Sequence, residues 1–85
     1  MPEYIITLSK TAQKQSDKLP NIIANSLIES ISQLAENPRP YGYKKLKGRD
    51  GYRIRQGDFR IICDVYDRLL TVEVIAVGHR KDIYD

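Results

Sequence analysis

The second half of the chain alternates apolar and polar residues, the period of strands that bury one face. Four apolar residues of segment 59–66 share a face: Phe59, Ile61, Cys63 and Val65. Four in segment 69–77 do the same: Leu70, Val72, Val74 and Ala76. Segments 51–56 and 59–66 meet at Gln56-Gly57-Asp58, which favours a hairpin, and 44–47 fits a further short strand. The pattern therefore predicts a meander of antiparallel strands.

The first half of the chain predicts one strand and two helices. Segment 4–8 is rich in β-branched and aromatic residues, which is typical of a strand. Ser9 is a suitable N-cap for a short helix over 10–18. Pro20 suits the first turn of a second helix, whose apolar stripe has the helical period: Ile23, Leu27, Ile31 and Leu34. Asn37-Pro38 ends this helix ahead of a loop.

These segments predict an α+β domain, with two N-terminal helices packed on one face of a mostly antiparallel, twisted sheet of four to five strands. The 85 residues suffice for a single domain over 1–85. The single cysteine, Cys63, lies in an apolar run, which predicts a buried thiol and excludes an internal disulfide. No apolar run approaches the roughly 20 residues that cross a bilayer, and the N-terminus lacks a secretion signal. We expect a cytoplasmic protein with no membrane partner.

Cationic residues concentrate in the middle of the chain, although the net charge is only +3. Seven of them lie between positions 44 and 60: Lys44, Lys45, Lys47, Arg49, Arg53, Arg55 and Arg60. Because strand residues alternate between faces, Arg53 and Arg55 point the same way and Ile54 points to the other side. Such a concentration is typical of a protein that binds a polyanion, above all nucleic acid. For the lysines alone, simple solvation is the alternative.

Four stretches, at their separations in the chain, resemble the RelE toxins of bacterial and archaeal toxin–antitoxin pairs. They are Leu46-Lys47-Gly48, Gly51-Tyr52-Arg53-Ile54-Arg55, Gly57-Asp58-Phe59-Arg60-Ile61-Ile62 and Gly78-His79-Arg80-Lys81-Asp82-Ile83-Tyr84. The resemblance covers essentially the whole chain and implies the same α+β fold. It also implies a ribosome-dependent endonuclease that cleaves mRNA in the ribosomal A site and inhibits translation. We expect neither a metal nor another cofactor.

The resemblance implies roles for individual residues. Five match the basic and tyrosine positions of the family's site: Arg53, Arg55, Arg60, Arg80 and Tyr84. Many relatives carry lysines in place of Arg53 and Arg55, and a lysine there has been assigned as the general base. Arginine stays protonated at physiological pH, so the proton acceptor in this chain must be another group. His79 is the natural candidate.

Attack by a ribose 2′-OH requires a proton acceptor, stabilisation of the phosphorane, and a proton donor for the leaving 5′-oxygen. The four arginines suit the phosphorane, because guanidinium forks grip phosphate oxygens. Imidazole can accept or donate a proton at neutral pH, and a phenol can stack on a base or move a proton, so we expect His79 or Tyr84 to act here. Structural roles are the alternatives: His79 capping a turn, Tyr84 covering the sheet edge, and Arg60 paired with Asp58 or Asp64.

The resemblance implies three partners, namely a cognate antitoxin, the ribosome with its 16S rRNA, and mRNA. The residues expected to contact RNA and the ribosome outside the catalytic set are Lys44, Lys45, Lys47 and Arg49. A larger toxin–antitoxin complex on operator DNA is left open. Two rival functions also stay open: a ParE-like poison of DNA gyrase, which shares the fold, and a nucleic-acid-binding relative without activity. Segment 78–84 argues against the gyrase poison, because such toxins generally lack its basic and tyrosine residues.

Overall fold

The computed structural model describes residues 3–48 and 51–83. Its elements are, in chain order, β1 (Ile5–Leu8), α1 (Lys10–Asp17), α2 (Asn21–Gln33), β2 (Lys44–Lys45), β3 (Tyr52–Gln56), β4 (Phe59–Tyr66), a 3₁₀ turn (Asp67–Leu69) and β5 (Thr71–His79). The sheet order is β1-β5-β4-β3-β2, with β1 parallel to β5 and the other neighbours antiparallel. The predicted α+β architecture is confirmed. Neither helix in these ranges has the length and apolar character to span a membrane.

Helix α1 begins where the sequence predicts and covers part of the outer edge of β5. Ser9 Oγ accepts a hydrogen bond from the Ala12 N–H at 3.0 Å and donates to the Ile75 carbonyl at 2.7 Å. It therefore caps the helix and anchors it to the sheet. Gln15 Oε1 accepts from the Val77 N–H at 2.8 Å. Because β1 pairs with only the first half of β5, these contacts satisfy backbone groups that would otherwise be exposed.

The core lies between the two helices and one face of the sheet. Its most buried large side chains come from α2, from the C-cap residue of α2 and from the central strands: Leu27, Leu34, Ile61, Cys63, Val72, Val74 and Val77. The predicted stripe of α2 supplies Ile31 as well, and Ile23 packs against this core. Removing such apolar surface from water stabilises the fold by about 25 cal/mol per Å². The prediction of a buried thiol at Cys63 is confirmed.

A bulge in β5 changes which of its residues face the core. Ile62 pairs with Ala76 but Cys63 pairs with Val74, so Ile75 is an extra residue on β5. The prediction that Ala76 shares the core face with Val74 is wrong, because the extra residue shifts the alternation by one position. Val77 is in the core instead. The prediction for Leu70 is also wrong, since this residue lies before β5 in a left-handed turn conformation and is partly exposed.

The face of the sheet away from the helices is called the open face, and it carries Arg53, Arg55, Arg60, Ile62 and Gly78. A second, smaller apolar cluster covers its centre: Leu46, Ile62 and Ile83, with Ile75 and Ala76 packed against it. Both the loop before β3 and the turn after β5 therefore fold back onto this face. The arginines occupy the other end of the open face, near the β3–β4 hairpin.

Candidate anion-binding site

Three arginines from separate elements meet at the β3–β4 hairpin. Arg55 on β3 lies directly opposite Arg60 on β4, and Arg60 lies opposite Gly78 on β5. Arg80 follows β5, where its N–H donates to the Asp58 carbonyl at 2.9 Å. These three arginines line one pocket, called the arginine pocket, with Gly57, Asp58 and Phe59. Its volume of about 30 Å³ matches one water molecule, so a phosphate would sit at its mouth.

The arginine pocket has the electrostatics of a site that binds an anion. Like charges directly opposite each other on paired strands repel, so Arg55 and Arg60 destabilise the empty sheet. Asp58 is the single acidic residue among the described residues that line the pocket. Arg60 Nε is buried and has no hydrogen-bond partner within residues 3–48 and 51–83. An anion at the mouth of the pocket would relieve the repulsion between the guanidinium groups.

Arg60 is held in place by the turn that follows β5. Its Nη1 donates to the Ile83 carbonyl at 3.0 Å. The hydrogen bond seen for Arg60 thus goes to a neutral acceptor rather than to Asp58 or Asp64, the partners considered from the sequence. A carbonyl leaves the full positive charge of the guanidinium available to a ligand, whereas a carboxylate would neutralise it.

Arg53 lies on the same face but is buried, with 9% of its surface exposed, and it does not line the arginine pocket. The predicted orientation of Arg53 and Arg55 away from Ile54 is confirmed, because Ile54 packs against the helix-side core. Lys44 pairs with Arg53 and extends the basic surface across the open face. The structure thus gives the two arginines different environments: Arg55 is exposed and Arg53 is enclosed.

The predicted RNA-contacting lysines do not form one surface. Lys45 pairs with Tyr52, a residue that packs against the core, so Lys45 points to the helix side while Lys44 points to the open face. Lys47 is exposed in the loop that follows β2. Arg49 lies outside the described residues. Among these lysines, only Lys44 can be assigned by strand pairing to the face that carries the arginines.

The structure does not bring His79 into the arginine pocket. His79 pairs with Phe59, and the two rings meet edge to face with centroids 5.5 Å apart, on the helix side of the sheet. It lines a separate cleft of about 300 Å³ with Lys18 and Leu19. Its Nδ1 accepts a hydrogen bond from the Lys81 N–H at 3.1 Å. This is the bond that the alternative role of His79, capping a turn, requires. Its proton-transfer role stays a prediction.

Tyr84, the other predicted proton-transfer group, lies outside the described residues, and its role also stays a prediction. Asp58 was not predicted as part of a site, and the structure places it in the arginine pocket. The sequence signal for it is its position in the hairpin turn beside Phe59 and Arg60. Gly78 lies opposite Arg60 and belongs to one of the stretches that resemble the family. The sequence alone predicted no role for it.

A hydrogen-bond network around Arg39 and Asp67 was not predicted from the sequence. Arg39 donates from both terminal nitrogens to the two oxygens of Asp67 (3.1 and 2.9 Å) and from Nε to the Tyr52 hydroxyl (3.1 Å). The Tyr4 hydroxyl donates to the same carboxylate at 2.8 Å. The hydrogen bonds from Arg39 lower the pKa of Asp67. This network ties the loop after α2 to the turn before β5, and its partners are too distant in sequence for any local pattern to pair them.

Comparison with known proteins identifies the family. The family model of the ParE toxin of the type II toxin–antitoxin system parDE matches residues 6–84. The mRNA interferase toxin RelE of Escherichia coli K12 is 31% identical over 81 residues, which cover 92% of this chain and 84% of that toxin. The chain belongs to the RelE and ParE family of type II toxins. The resemblance inferred from its sequence motifs is therefore confirmed.

Solved structures of toxin–antitoxin complexes contain chains with the same fold as this toxin. In the crystal structure of such a complex from Mycobacterium tuberculosis, the matched chain has a TM-score of 0.81 and 27% identity, with 94% of each chain covered. In the intact RelBE complex of E. coli, the values are 0.78 and 29%, with 89% of this toxin and 95% of that chain covered. Both of those proteins are described as complexes with an antitoxin.

Proposed function

We propose that this toxin is an endoribonuclease that cleaves mRNA in the ribosomal A site and thereby inhibits translation. One observation carries the proposal: Arg55, Arg60 and Arg80, from three separate parts of the chain, line one pocket. Guanidinium groups bind phosphate oxygens in pairs, so the pocket suits the backbone of RNA. The name of the E. coli K12 relative, an mRNA interferase, supports the same activity.

The proposed reaction is attack by a ribose 2′-oxygen on the adjacent phosphorus. The bond between phosphorus and the 5′-oxygen breaks, which leaves a 2′,3′-cyclic phosphate and a 5′-hydroxyl group. The 2′-hydroxyl loses one proton and the 5′-oxygen gains one, so the atoms and charges balance. Arg55, Arg60 and Arg80 stabilise the additional negative charge of the phosphorane, the interaction that commonly contributes most to catalysis.

A residue other than arginine must accept the 2′-hydroxyl proton, because the guanidinium group is already protonated. Asp58 is the acidic residue that lines the arginine pocket, whereas His79 lies on the helix side of the sheet. Three variants rank the candidates on programmed ribosomes: D58N, H79A and Y84F. Loss of a general acid or base lowers a rate by about 10²–10⁴. A candidate whose variant cleaves at the unaltered rate is not the group that moves the proton.

Exposed basic residues outside the pocket would hold the ribosome. We assign this role to Lys44 on the open face and, as predicted from the sequence, to Lys45, Lys47 and Arg49. Charge reversal of such residues should weaken ribosome association in a salt-dependent way, while the cleavage rate of bound ribosomes is retained. Sedimentation of the toxin with ribosomes at increasing salt measures this, and the K44E and K45E variants compare the two sides of β2.

A ParE-like poison of DNA gyrase is the second candidate, because the matching family model is that of ParE. Expression of the toxin alone in a bacterial host separates the two functions. An endoribonuclease produces new mRNA 5′ ends that are phased with codons, whereas a gyrase poison arrests replication and leaves mRNA intact. Unimpaired growth, with soluble toxin present, would identify a relative without activity and would contradict both functions.

A toxin of this kind requires a cognate antitoxin, and the solved complexes of its relatives support one here. The open face is basic at the hairpin, and an apolar cleft of about 250 Å³ lies beside it between α2 and the hairpin, lined by Ile22, Ile23, Leu27 and Phe59 among others. We propose an antitoxin segment with acidic and apolar residues as the partner. Co-expression with such an antitoxin should restore growth.

A further inference from the structure

The turn after β5 is stabilised by hydrogen bonds to His79. The N–H groups of Asp82 and Ile83 both donate to the His79 carbonyl, at 2.8 and 3.2 Å. The Lys81 N–H donates to His79 Nδ1 at 3.1 Å. Three hydrogen bonds to one residue therefore bend the chain back toward the sheet. This explains how Ile83 reaches the open face although His79 itself points to the helix side.

Ile83 packs directly on Gly78, and a side chain at position 78 would displace the Ile83 side chain. A Cβ atom at Gly78 would lie 2.9 Å from Ile83 Cγ1 and 3.1 Å from Ile83 Cδ1, closer than carbon atoms pack. Gly78 does not have a positive φ, so its backbone does not require glycine. Glycine suits this position because Ile83 occupies the space that a side chain would fill. Ile83 is buried there with Leu46 and Ile62.

Ile83 also contacts Arg60 through its backbone carbonyl. Gly78 is the strand partner of Arg60, so Ile83 rests on the residue next to the guanidinium stem. Its carbonyl accepts from Arg60 Nη1 at 3.0 Å. A guanidinium has five N–H donors in a fixed plane. One bond to a fixed carbonyl therefore restricts the orientation of the donors that remain for a phosphate.

We propose that Gly78 and Ile83 are positioning residues, which hold the Arg60 guanidinium in the orientation that binds the scissile phosphate. The Ile83 side chain packs on Gly78, and the Ile83 carbonyl holds Arg60 through its hydrogen bond to Nη1. The inference rests on the proposed function, because it assigns Arg60 to phosphate binding. It adds two residues that do not line the arginine pocket but on which the reaction depends.

The test is a double-mutant cycle on the single-turnover rate of cleavage at saturating ribosomes. G78A should displace Ile83 and release Arg60, and misplacement of a catalytic group by about 1 Å costs about 10²-fold in rate. In an R60A background, G78A should cost nothing further, since it acts through Arg60. The ribosome concentration at half-maximal rate should change far less than the rate itself.

A matched control separates positioning from general destabilisation. Leu46 belongs to the same apolar cluster as Ile83 but makes no hydrogen bond to Arg60, so L46A should lower the melting temperature and retain the cleavage rate. If G78A does not fold, I83A replaces it in the cycle. In I83A, ¹⁵N relaxation of the Arg60 side chain should report increased motion, and in L46A it should not.

The outcomes distinguish the inference from the proposed function. If the unaltered toxin does not cleave ribosome-bound mRNA, the proposed function fails. If it cleaves, and G78A costs the same factor with and without Arg60, the positioning role is overturned while the nuclease stands. An equal loss of rate in L46A and G78A would also overturn it, because the effect would then follow stability.

Discussion

Arg55 and Arg60 lie directly opposite each other on neighbouring strands, with both guanidinium groups on the open face of the sheet. Such a pair weakens the sheet unless an anion binds between the charges. Arg80 joins them from the turn after β5, and together they line one pocket. This repulsive arrangement supports the proposal that the arginine pocket binds phosphate.

Phosphate should therefore stabilise this toxin. At ten times its Kd, inorganic phosphate raises the free energy of unfolding by about 1.4 kcal/mol. R55A should lose most of that gain and, without phosphate, should be more stable than the unaltered protein by about 0.2–1 kcal/mol because the repulsion is removed. Thermal unfolding in phosphate and in sodium chloride of equal ionic strength measures both effects.

The control for this prediction is Arg68, an exposed arginine that is remote from the pocket in the 3₁₀ turn. R68A changes the net charge by the same amount as R55A. It should respond to phosphate as the unaltered protein does. Equal loss of the response in both variants would mean that phosphate acts through net charge and that the pocket binds no anion.

Acid should abolish the contribution of Asp67 to stability. Hydrogen bonds from Arg39, followed by that from Tyr4, lower the Asp67 pKa from its ordinary value of 3.8. Since the folded-state pKa is the lower one, the carboxylate stabilises the fold above the unfolded-state pKa. That contribution is lost as the pH falls through the folded-state pKa. We expect D67N to be less stable than the unaltered toxin at pH 7 and to converge with it below 3.8.

Urea unfolding at a series of pH values measures this convergence. Asp17 provides the comparison, because its carboxylate is exposed and accepts a hydrogen bond from the neutral amide of Gln13. D17N should differ little from the unaltered toxin at any pH. A D67N difference that is the same at pH 3 and pH 7 would show that ionisation of Asp67 does not stabilise the fold.

The Cys63 thiol should be unreactive in the folded toxin. Burial raises its pKa to about 11, above an unfolded value of about 8.5. The raised pKa adds stability below about pH 8.5, and this is lost as the pH rises toward 11. At pH 8, iodoacetamide should label the native thiol more than about 100-fold more slowly than the urea-unfolded one, because the thiolate reacts. Equal rates would indicate an accessible thiol.

The sequence was informative where a local rule decides the outcome. The opposite orientations of Ile54 and its neighbouring arginines follow from strand alternation alone, and the Ser9 cap follows from side-chain chemistry. The bulge at Ile75 follows from no such rule, because nothing in the apolar pattern marks an extra residue. It places His79 on the helix side and Gly78 opposite Arg60.

The candidate site was predictable in part for the same reason. Arg55, Arg60 and Arg80 were named from the sequence motifs, and the structure brings them together. His79 was named beside them and lies across the sheet, because the bulge reverses its face. The pairing of Arg39 with Asp67 spans 28 positions, and contacts of that range depend on how the whole chain folds.

The most direct test of the arginine pocket is the single-turnover rate of mRNA cleavage on programmed ribosomes. We predict that R55A, R60A and R80A each lower this rate by about 10²–10³, and that R60K restores little because ammonium cannot form the guanidinium fork. R68A should cleave at the unaltered rate. If all three pocket variants cleave as fast as R68A, the arginine pocket does not hold the scissile phosphate.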